Sequence, residues 1–315
     1  MILCCGEALI DMLPCEAVTG DAGFVPCPGG AVFNTAVALG RLGTSVGLLT
    51  GISNDLFGGQ LLQALAASGV ETDLAIRSDR PTTLAFLRMQ DGQAAYAFHD
   101  ENSAGRMVQP DDIPPVPAST KALFFGGISL ATEPCGTAYE ALMLREAPAR
   151  VTMLDPNIRP DFIRDEATYR ARLERMIAAA DIVKLSDEDL NWLYGPGEIA
   201  SLATGVLARG PKLVFITQGS AGAQGFSASA VESVPACAVT VVDTVGAGDT
   251  FNAGVLVALT RAGALHKDAI AEAGAGLIHA CLTLGGAAAA VTVSRAGANP
   301  PWAKERSEEH TSELQ

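Results

Sequence analysis

The sequence contains few charged residues, and few of those are basic. Charged side chains make up 18% of the 315 residues, against roughly 25% in an average globular protein. Hydrophobic residues make up 49%, and this balance excludes an intrinsically disordered chain. Lysine and arginine number 21 against 35 acidic residues, which gives a net charge of −14. Because nucleic-acid affinity depends on clustered basic side chains, the composition argues against a nucleic-acid partner.

Several sequence patterns that would indicate other classes of protein are also missing. The seven cysteines are odd in number and form no C-x-x-C pair, so free thiols in a reducing cytosol are expected. The N-terminal stretch MILCCGEALIDML lacks a basic region and does not resemble a signal peptide. The uncharged run 273–294, interrupted by Gly285 and Gly286, is predicted to form a buried helix followed by a strand rather than a membrane span. We therefore expect a cytoplasmic protein with no membrane partner.

Three common catalytic motifs are absent as well. The phosphate loop G-x-x-x-x-G-K-[ST] does not occur, which excludes the standard P-loop nucleotide site. Neither H-E-x-x-H nor G-x-S-x-G occurs, and the four histidines are scattered, so a zinc site or a hydrolase nucleophile elbow is not expected.

The order of apolar segments predicts an α/β fold with a mostly parallel central sheet flanked by helices. Strands are predicted at 1–5, 45–50, 122–125, 151–154, 182–185 and 213–217, and helices at 31–42, 57–68, 166–180 and 199–209. Two segments, 9–28 and about 83–103, break this rhythm. The second contains Asp91-Gly92 between β-type runs, which is a strong hairpin signal. We predict that both segments pair as a small β-strand lid within one domain of residues 1–305, and that residues 306–315 are an extraneous tail.

The most informative motif is the run DTVGAGDTFNAG at residues 243–254. It follows a predicted apolar strand at 239–242 and precedes a predicted helix that begins near Asp249 and ends near Arg261. Gly246, Ala247 and Gly248 would present free N–H groups at a helix N-terminus, which is an anion site. Asp249, held ionised by the helix dipole, could accept the proton of an attacking hydroxyl in phosphoryl transfer. Alternatively, Asp249 only stabilises the helix start.

A second glycine cluster occurs near the N-terminus. Gly29 and Gly30 allow a small polar ligand to touch the backbone, and Asn34 offers both a donor and an acceptor. The alternative is a plain turn followed by a helix cap. Asp11 lies in an apolar neighbourhood ahead of the predicted lid, where it could bind sugar hydroxyls or satisfy a turn.

Together these motifs resemble the ribokinase-like (PfkB) sugar kinase family. Residues 243–256 match its C-terminal signature completely. Residues 29–43 match its N-terminal signature at both glycines, at Asn34 and at Gly43, but depart from it at Val32, and a further departure occurs at Ser53. Within the family, the stretches CGEALIDMLP, DENSAGRM, GGISLATEP and RAGANPPW are similar to bacterial fructokinases. The resemblance extends from Met1 to about Trp302.

The resemblance implies a ribokinase-like fold and an ATP-dependent sugar kinase, most like a fructokinase. The alternatives are a kinase for another small sugar or sugar acid, such as ribose or 2-keto-3-deoxygluconate, or a catalytically silent sugar-binding protein. Asp249 would be the catalytic base beside an anion hole of Gly246, Ala247 and Gly248. Sugar binding is implied for Asp11, Gly29, Gly30 and Asn34. Nucleotide binding is implied for Lys184, Ser186, Thr217, Gly219 and Gly222.

The resemblance also implies ATP and Mg²⁺ as cofactors, with K⁺ as a further cation. The family often has Asn-x-x-Glu to organise magnesium, but this chain reads Ser186-Asp187-Glu188-Asp189, which leaves Asp189 as the candidate magnesium residue. Asp243 and Thr244 align with residues that support a monovalent cation.

The predicted hairpin also suggests a partner. It carries apolar residues on both faces, at Phe86, Leu87, Tyr96 and Phe98. Because two strands alone are marginally stable, we expect one face to cover the sugar and the other to form a homodimer.

Overall fold

The structure, a computed structural model, describes residues 1–90 and 93–305. The predicted Asp91-Gly92 turn and the tail 306–315 lie outside these residues. Strands are numbered along the chain as β1 Ile2–Cys5, β2 Leu9–Glu16, β3 Ala22–Gly29, β4 Val46–Leu49, β5 Gly51–Ser53, β6 Val70–Glu71, β7 Ile76–Ser78, β8 Leu84–Gln90, β9 Gln93–His99, β10 Ala122–Gly126, β11 Val151–Asp155, β12 Ile182–Ser186, β13 Leu213–Thr217, β14 Ala223–Phe226 and β15 Val231–Val234. Helices are α1 Ala31–Arg41, α2 Leu56–Ala67, α3 Cys135–Glu146, α4 Glu166–Ala179, α5 Asp187–Tyr194, α6 Ile199–Leu207, α7 Ala247–Arg261, α8 Lys267–Ala271 and α9 Ala275–Val293.

The large central sheet is mostly parallel, as predicted. Its strands follow the order β15-β14-β13-β12-β11-β10-β1-β4-β6. The pairs from β6 to β13 are parallel, and β14 and β15 extend the sheet as antiparallel strands. Parallel strands bring their carboxyl ends to one edge, and ligands bind at this edge in open α/β sheets.

Helices cover both faces of this sheet. Successive strand residues point to opposite sides, so each strand contributes to two cores. In β1, Ile2 and Cys4 pack into a core with α1, α7 and α9. Leu3 and Cys5 pack into the opposite core with α3, α4 and α6. Strands buried on both faces explain why the sheet segments read as continuous apolar runs.

The two segments that interrupt the strand–helix rhythm do form a separate sheet, in the order β3-β2-β8-β9. Strands β2 and β8 pair in parallel, and the pairs β2–β3 and β8–β9 are antiparallel. The register puts Phe98 opposite Ala85, which pairs with Asp11, so Phe98 and Tyr96 share the face of Asp11. Phe86 lies on the other face, where its ring meets Phe24 at 5.1 Å. The prediction that the two segments pair as a small separate sheet is therefore confirmed for the described strands, and this sheet is called the lid below.

The run 273–294 corrects one prediction, because it forms the single helix α9 and not a helix followed by a strand. Gly285 does not break the helix but allows α9 to pack closely against α7. A Cβ on Gly254 of α7 would lie 2.6 Å from the Gly285 Cα, and a Cβ on Gly285 would lie 2.8 Å from the Phe251 ring. Within the described residues, α9 is long and apolar enough to cross a membrane by length and composition only, a test that core helices also pass.

The predicted strand at 239–242 is also wrong. These residues form no strand, and Val241 and Val242 are each 60% exposed. The Val242 and Asp243 N–H groups donate to the Val293 carbonyl at the end of α9. The run has the β-branched composition of a strand but pairs with no strand in the described part of the chain.

Candidate active site

The start of α7 is a tight glycine-containing turn that leaves backbone amides free. Gly246 adopts a left-handed conformation with φ of 78°, and a Cβ there would lie 2.7 Å from the Ala298 Cβ. Glycine is therefore needed for the turn into the helix. The Ala247 N–H donates to the Thr244 carbonyl at 3.3 Å, whereas the Gly248 and Asp249 N–H groups donate to no group among the described residues. The first turn therefore offers free amides to an anion.

Asp249 is buried beside these amides, with 7% of its surface exposed. Its Oδ2 accepts a hydrogen bond from Asn34 Nδ2 at 2.9 Å. No side chain caps α7, and the N-cap residue is Gly246, so Asp249 is not the helix cap; it lies in the first turn, where its charge interacts favourably with the helix dipole.

The protonation of Asp249 differs from the sequence-based expectation that the helix dipole keeps it ionised. Burial raises its pKa to about 7, and the hydrogen bond from Asn34 opposes this shift only in part. The reason is that a buried carboxylate loses its hydration. A pKa near the working pH suits a general base.

A buried ion pair lies directly behind the amides. Lys184 Nζ is 3.1 Å from Asp155 Oδ2, and Asn252 Nδ2 donates to the same oxygen at 2.6 Å. Burial alone would lower the pKa of Lys184, but the carboxylates of Asp155 and Asp189 raise it, so the ammonium stays charged. A Cβ on Gly248 would lie 3.1 Å from Lys184 Nζ, which puts this charge next to the anion-binding amides.

The sugar-binding candidates meet where the lid joins the large sheet. Asp11 lies in β2, Gly29 ends β3, and Gly30 caps α1 with φ of 108°. A Cβ on Gly29 would overlap the Asp11 carboxylate, so this glycine makes room for the acid. Burial raises the pKa of Asp11 to about 6. Asn34, one turn into α1, links this group to Asp249.

The nucleotide-binding candidates lie at the ends of two neighbouring strands. Ser186 ends β12 and pairs with Thr217 at the end of β13. The following turn contains Gly219 with φ of 54° and Gly222 with φ of 98°. Ser186 also accepts the Asp189 N–H and caps α5. These residues therefore line the carboxyl edge of the sheet, where Lys184 faces α7.

The carboxylates of the metal-binding candidates Asp189 and Asp243 accept hydrogen bonds from backbone N–H groups. The Asp189 carboxylate accepts N–H groups from Ile158 at 3.0 Å and Ser186 at 3.3 Å, and burial raises its pKa. Asp243 accepts the N–H groups of Val245 and Gly297. Within residues 1–90 and 93–305, no three His, Cys, Asp or Glu side chains lie together as a metal site. Carboxylate oxygens are nevertheless suitable donors for Mg²⁺, which keeps several waters and binds through few protein groups.

Sequence reasoning missed Asp155 and Arg159 near the site, and it named Tyr96 only as an apolar residue of the predicted hairpin. The pKa of Tyr96 is raised by burial and then by Asp11, and Asp249 acts in the same direction while Arg159 opposes them. Arg159 also favours the charged form of Asp249. A signal existed, because β11 ends at Asp155 and Pro156-Asn-Ile-Arg159 follows it directly, and the carboxyl ends of parallel strands meet at one edge.

Comparison with known proteins identifies the family. The family model described as pfkB family carbohydrate kinase matches residues 1–305. The chain belongs to this family. A fructokinase from Rhizobium leguminosarum bv. trifolii is 52% identical over 272 residues, which are 86% of this chain and 83% of that protein.

Solved structures agree with this assignment. A fructokinase with bound ATP from Xylella fastidiosa has a TM-score of 0.88 at 27% identity, and the match covers 100% of this chain and 99% of that chain. A fructokinase double mutant from Vibrio cholerae O395, in fructose, ADP and potassium ion bound form, has a TM-score of 0.82 at 25% identity, with 94% and 93% covered. The carbohydrate kinase described here is thus an ATP-using enzyme with the ribokinase-like fold.

Proposed function

We propose that this carbohydrate kinase is a fructokinase, which transfers the γ-phosphoryl group of ATP to the 6-hydroxyl of D-fructose. The observation that carries the proposal is the buried Asp249 carboxylate, held by Asn34 beside the free amides of α7. The fructose specificity rests on the relative that is 52% identical. A catalytically silent protein would not need a buried carboxylate with a pKa of about 7 at an anion site.

Asp249 acts on the attacking hydroxyl. It orients the fructose 6-hydroxyl and takes its proton as the new O–P bond forms and the bond from the γ-phosphorus to the ADP oxygen breaks. The Gly248 and Asp249 amides, with Lys184 behind them, stabilise the charge on the transferred group. Asp11, Gly29, Gly30 and Asn34 hold the sugar.

The nucleotide lies along the carboxyl ends of β12 and β13, at Ser186, Thr217, Gly219 and Gly222. The lid covers the sugar and excludes water, which limits wasteful hydrolysis of ATP. Asp189 would hold Mg²⁺ on the ATP phosphates, and Asp243 with Thr244 would support K⁺. Mg²⁺ supplies charge neutralisation of the phosphates when it is bound.

A substrate panel tests the function. With Mg-ATP, fructose should give a higher kcat/KM than ribose, adenosine or 2-keto-3-deoxygluconate, and ATP turnover without sugar should be slow. The Asp249→Asn variant provides the blank for contaminating kinases. A tenfold preference for another substrate would refute the fructose assignment, and the absence of turnover with every sugar would support the silent alternative.

A further inference from the structure

Glu7 is a buried carboxylate that the proposed mechanism does not use. It lies between β1 of the large sheet and β2 of the lid, so the chain first enters the lid just after it. The chain leaves the lid at the end of β3 and begins α1 at Ala31. Glu7 is only 7% exposed, and it has no ion-pair partner within the described residues.

The two carboxylate oxygens of Glu7 hold different parts of the structure. Oε1 accepts the Ala31 N–H at 3.0 Å, which satisfies one of the free donors at the start of α1. Oε2 accepts the Ser129 hydroxyl at 2.9 Å and the Ser129 N–H at 3.3 Å. Ser129 follows β10 of the central sheet. The Glu7 side chain therefore connects the start of α1, where the chain leaves the lid, to the segment that follows β10 of the large sheet.

The backbone around Glu7 adds to this connection. The Glu7 carbonyl accepts the Phe33 N–H at 3.2 Å, so both ends of the residue hold the first turn of α1. A Cβ on Gly30 would lie 3.2 Å from Glu7 Cγ, and a Cβ on Gly127 would overlap the carboxylate. Two glycines with positive φ therefore leave the space that this side chain fills.

We propose that Glu7 is a positioning residue, which fastens the first two crossings between the large sheet and the lid, before β2 and after β3, and thereby sets the placement of Asp11 and Asn34 for sugar binding. Asp11 lies four residues beyond Glu7 along the first crossing. Asn34 lies three residues beyond Ala31 along the second and bonds to Asp249. The nucleotide residues lie on β12 and β13, away from both crossings. This inference rests on the proposed sugar kinase function.

The test is Glu7→Gln in the full-length chain. Both carboxylate oxygens accept hydrogen bonds, whereas an amide has one acceptor and one donor group, so the variant loses its bonds to either Ala31 or Ser129. The sugar KM should rise by about three- to tenfold, because the lost hydrogen bond lies within the protein and only part of its free energy is transmitted to sugar binding. The ATP KM should stay within about twofold of the wild-type value, and the ratio of ATP hydrolysed to sugar phosphorylated should rise.

Glu146→Gln is the matched control. Glu146 is 8% exposed and is bonded to Arg145 and Arg150, but it contacts neither lid crossing. It should leave the ratio of the two KM values unchanged. A general effect of replacing a buried glutamate would appear in both variants, and that result would overturn the proposal.

Hydrogen exchange separates this proposal from the fructokinase assignment. Without any sugar, Glu7→Gln should speed amide exchange in β2, β3 and the first turn of α1, while exchange in β12 and β13 stays as in the wild type. If the wild type phosphorylates no sugar in the panel, the proposed function fails but the exchange result still decides the role of Glu7. If Glu7→Gln does not fold, Ser129→Ala replaces it. An unchanged sugar KM together with unchanged lid exchange in the folded variant would refute the proposal.

Discussion

Replacing Asp249 with asparagine should remove catalysis while leaving the fold intact. Because, among residues 1–90 and 93–305, the carboxylate accepts a hydrogen bond only from the Asn34 amide and caps no backbone group, an asparagine of the same shape keeps the local packing. General-base catalysis contributes roughly 10² to 10⁴ in rate, so kcat should fall by about that factor. The KM for sugar should change little, since Asp11 and Asn34 remain.

The loss of a helix cap would lower the free energy of unfolding, whereas Asp249→Asn should raise it at a pH above the pKa of Asp249. The ordinary pKa of 3.8 rises to about 7 in the folded protein, so the folded state binds this proton more tightly than the unfolded state. The stability that this proton confers is present below pH 4 and lost as the pH rises through 7. A pKa shift of about three units corresponds to about 4 kcal/mol. At pH 8 this free energy destabilises the wild type, and the neutral asparagine removes that destabilisation.

Steady-state kinetics and melting curves at pH 5 and pH 8 test both parts. The melting temperature of the wild type should fall relative to that of Asp249→Asn between pH 5 and pH 8. The acid limb of wild-type kcat/KM should have an apparent pKa near 7, and in the variant it should move down to the pKa of about 6 of Asp11. If the variant keeps more than about a tenth of wild-type kcat, the general-base mechanism is wrong.

Three further predictions concern the lid. Asp11→Ala should raise the KM for fructose by roughly 10- to 150-fold with kcat mostly retained, because a charge-assisted hydrogen bond to the sugar is lost in ground and transition states alike; a matching loss of kcat would contradict this. Gly29→Ala should weaken sugar binding because the new Cβ overlaps the Asp11 carboxylate, whereas Gly59→Ala, in open space on α2, should not alter kinetics. Phe24, on the lid face opposite Asp11, is 45% exposed, so light scattering at micromolar concentration should show a dimer that Phe24→Glu dissociates, and a wild-type monomer would refute it.

Local patterns were sufficient to predict most of the fold. Buried parallel strands read as short apolar runs, and the glycines that end α1 and α2, Gly43 and Gly69, adopt positive φ as helix-ending residues do. The start of α7 was placed within two residues because its glycine motif needs a helix N-terminus to present free amides.

The predictions that failed depended on contacts distant in sequence. The valines at 239–242 have strand propensity, but propensity alone does not supply a pairing partner. Gly285 and Gly286 read as a break, yet Gly285 packs against Phe251 and Gly254 of α7, so tertiary packing overrides the local preference. The role of Glu7 was equally hidden, because Ser129 is 122 residues away along the chain.

The chemistry of the site depends on which charges are already paired. Lys184 is held by Asp155, and Asp155 is held in turn by Asn252, so the ammonium stays behind the amides of α7 rather than bonding to Asp249. Asp249 receives its only side-chain hydrogen bond among the described residues from the neutral amide of Asn34, and its pKa stays near 7. A carboxylate paired directly with lysine would have a low pKa and would be a weak proton acceptor. The fold thus separates the ammonium of Lys184 from the carboxylate of Asp249, and the proposed mechanism needs both, one to stabilise the phosphoryl group and the other to accept a proton.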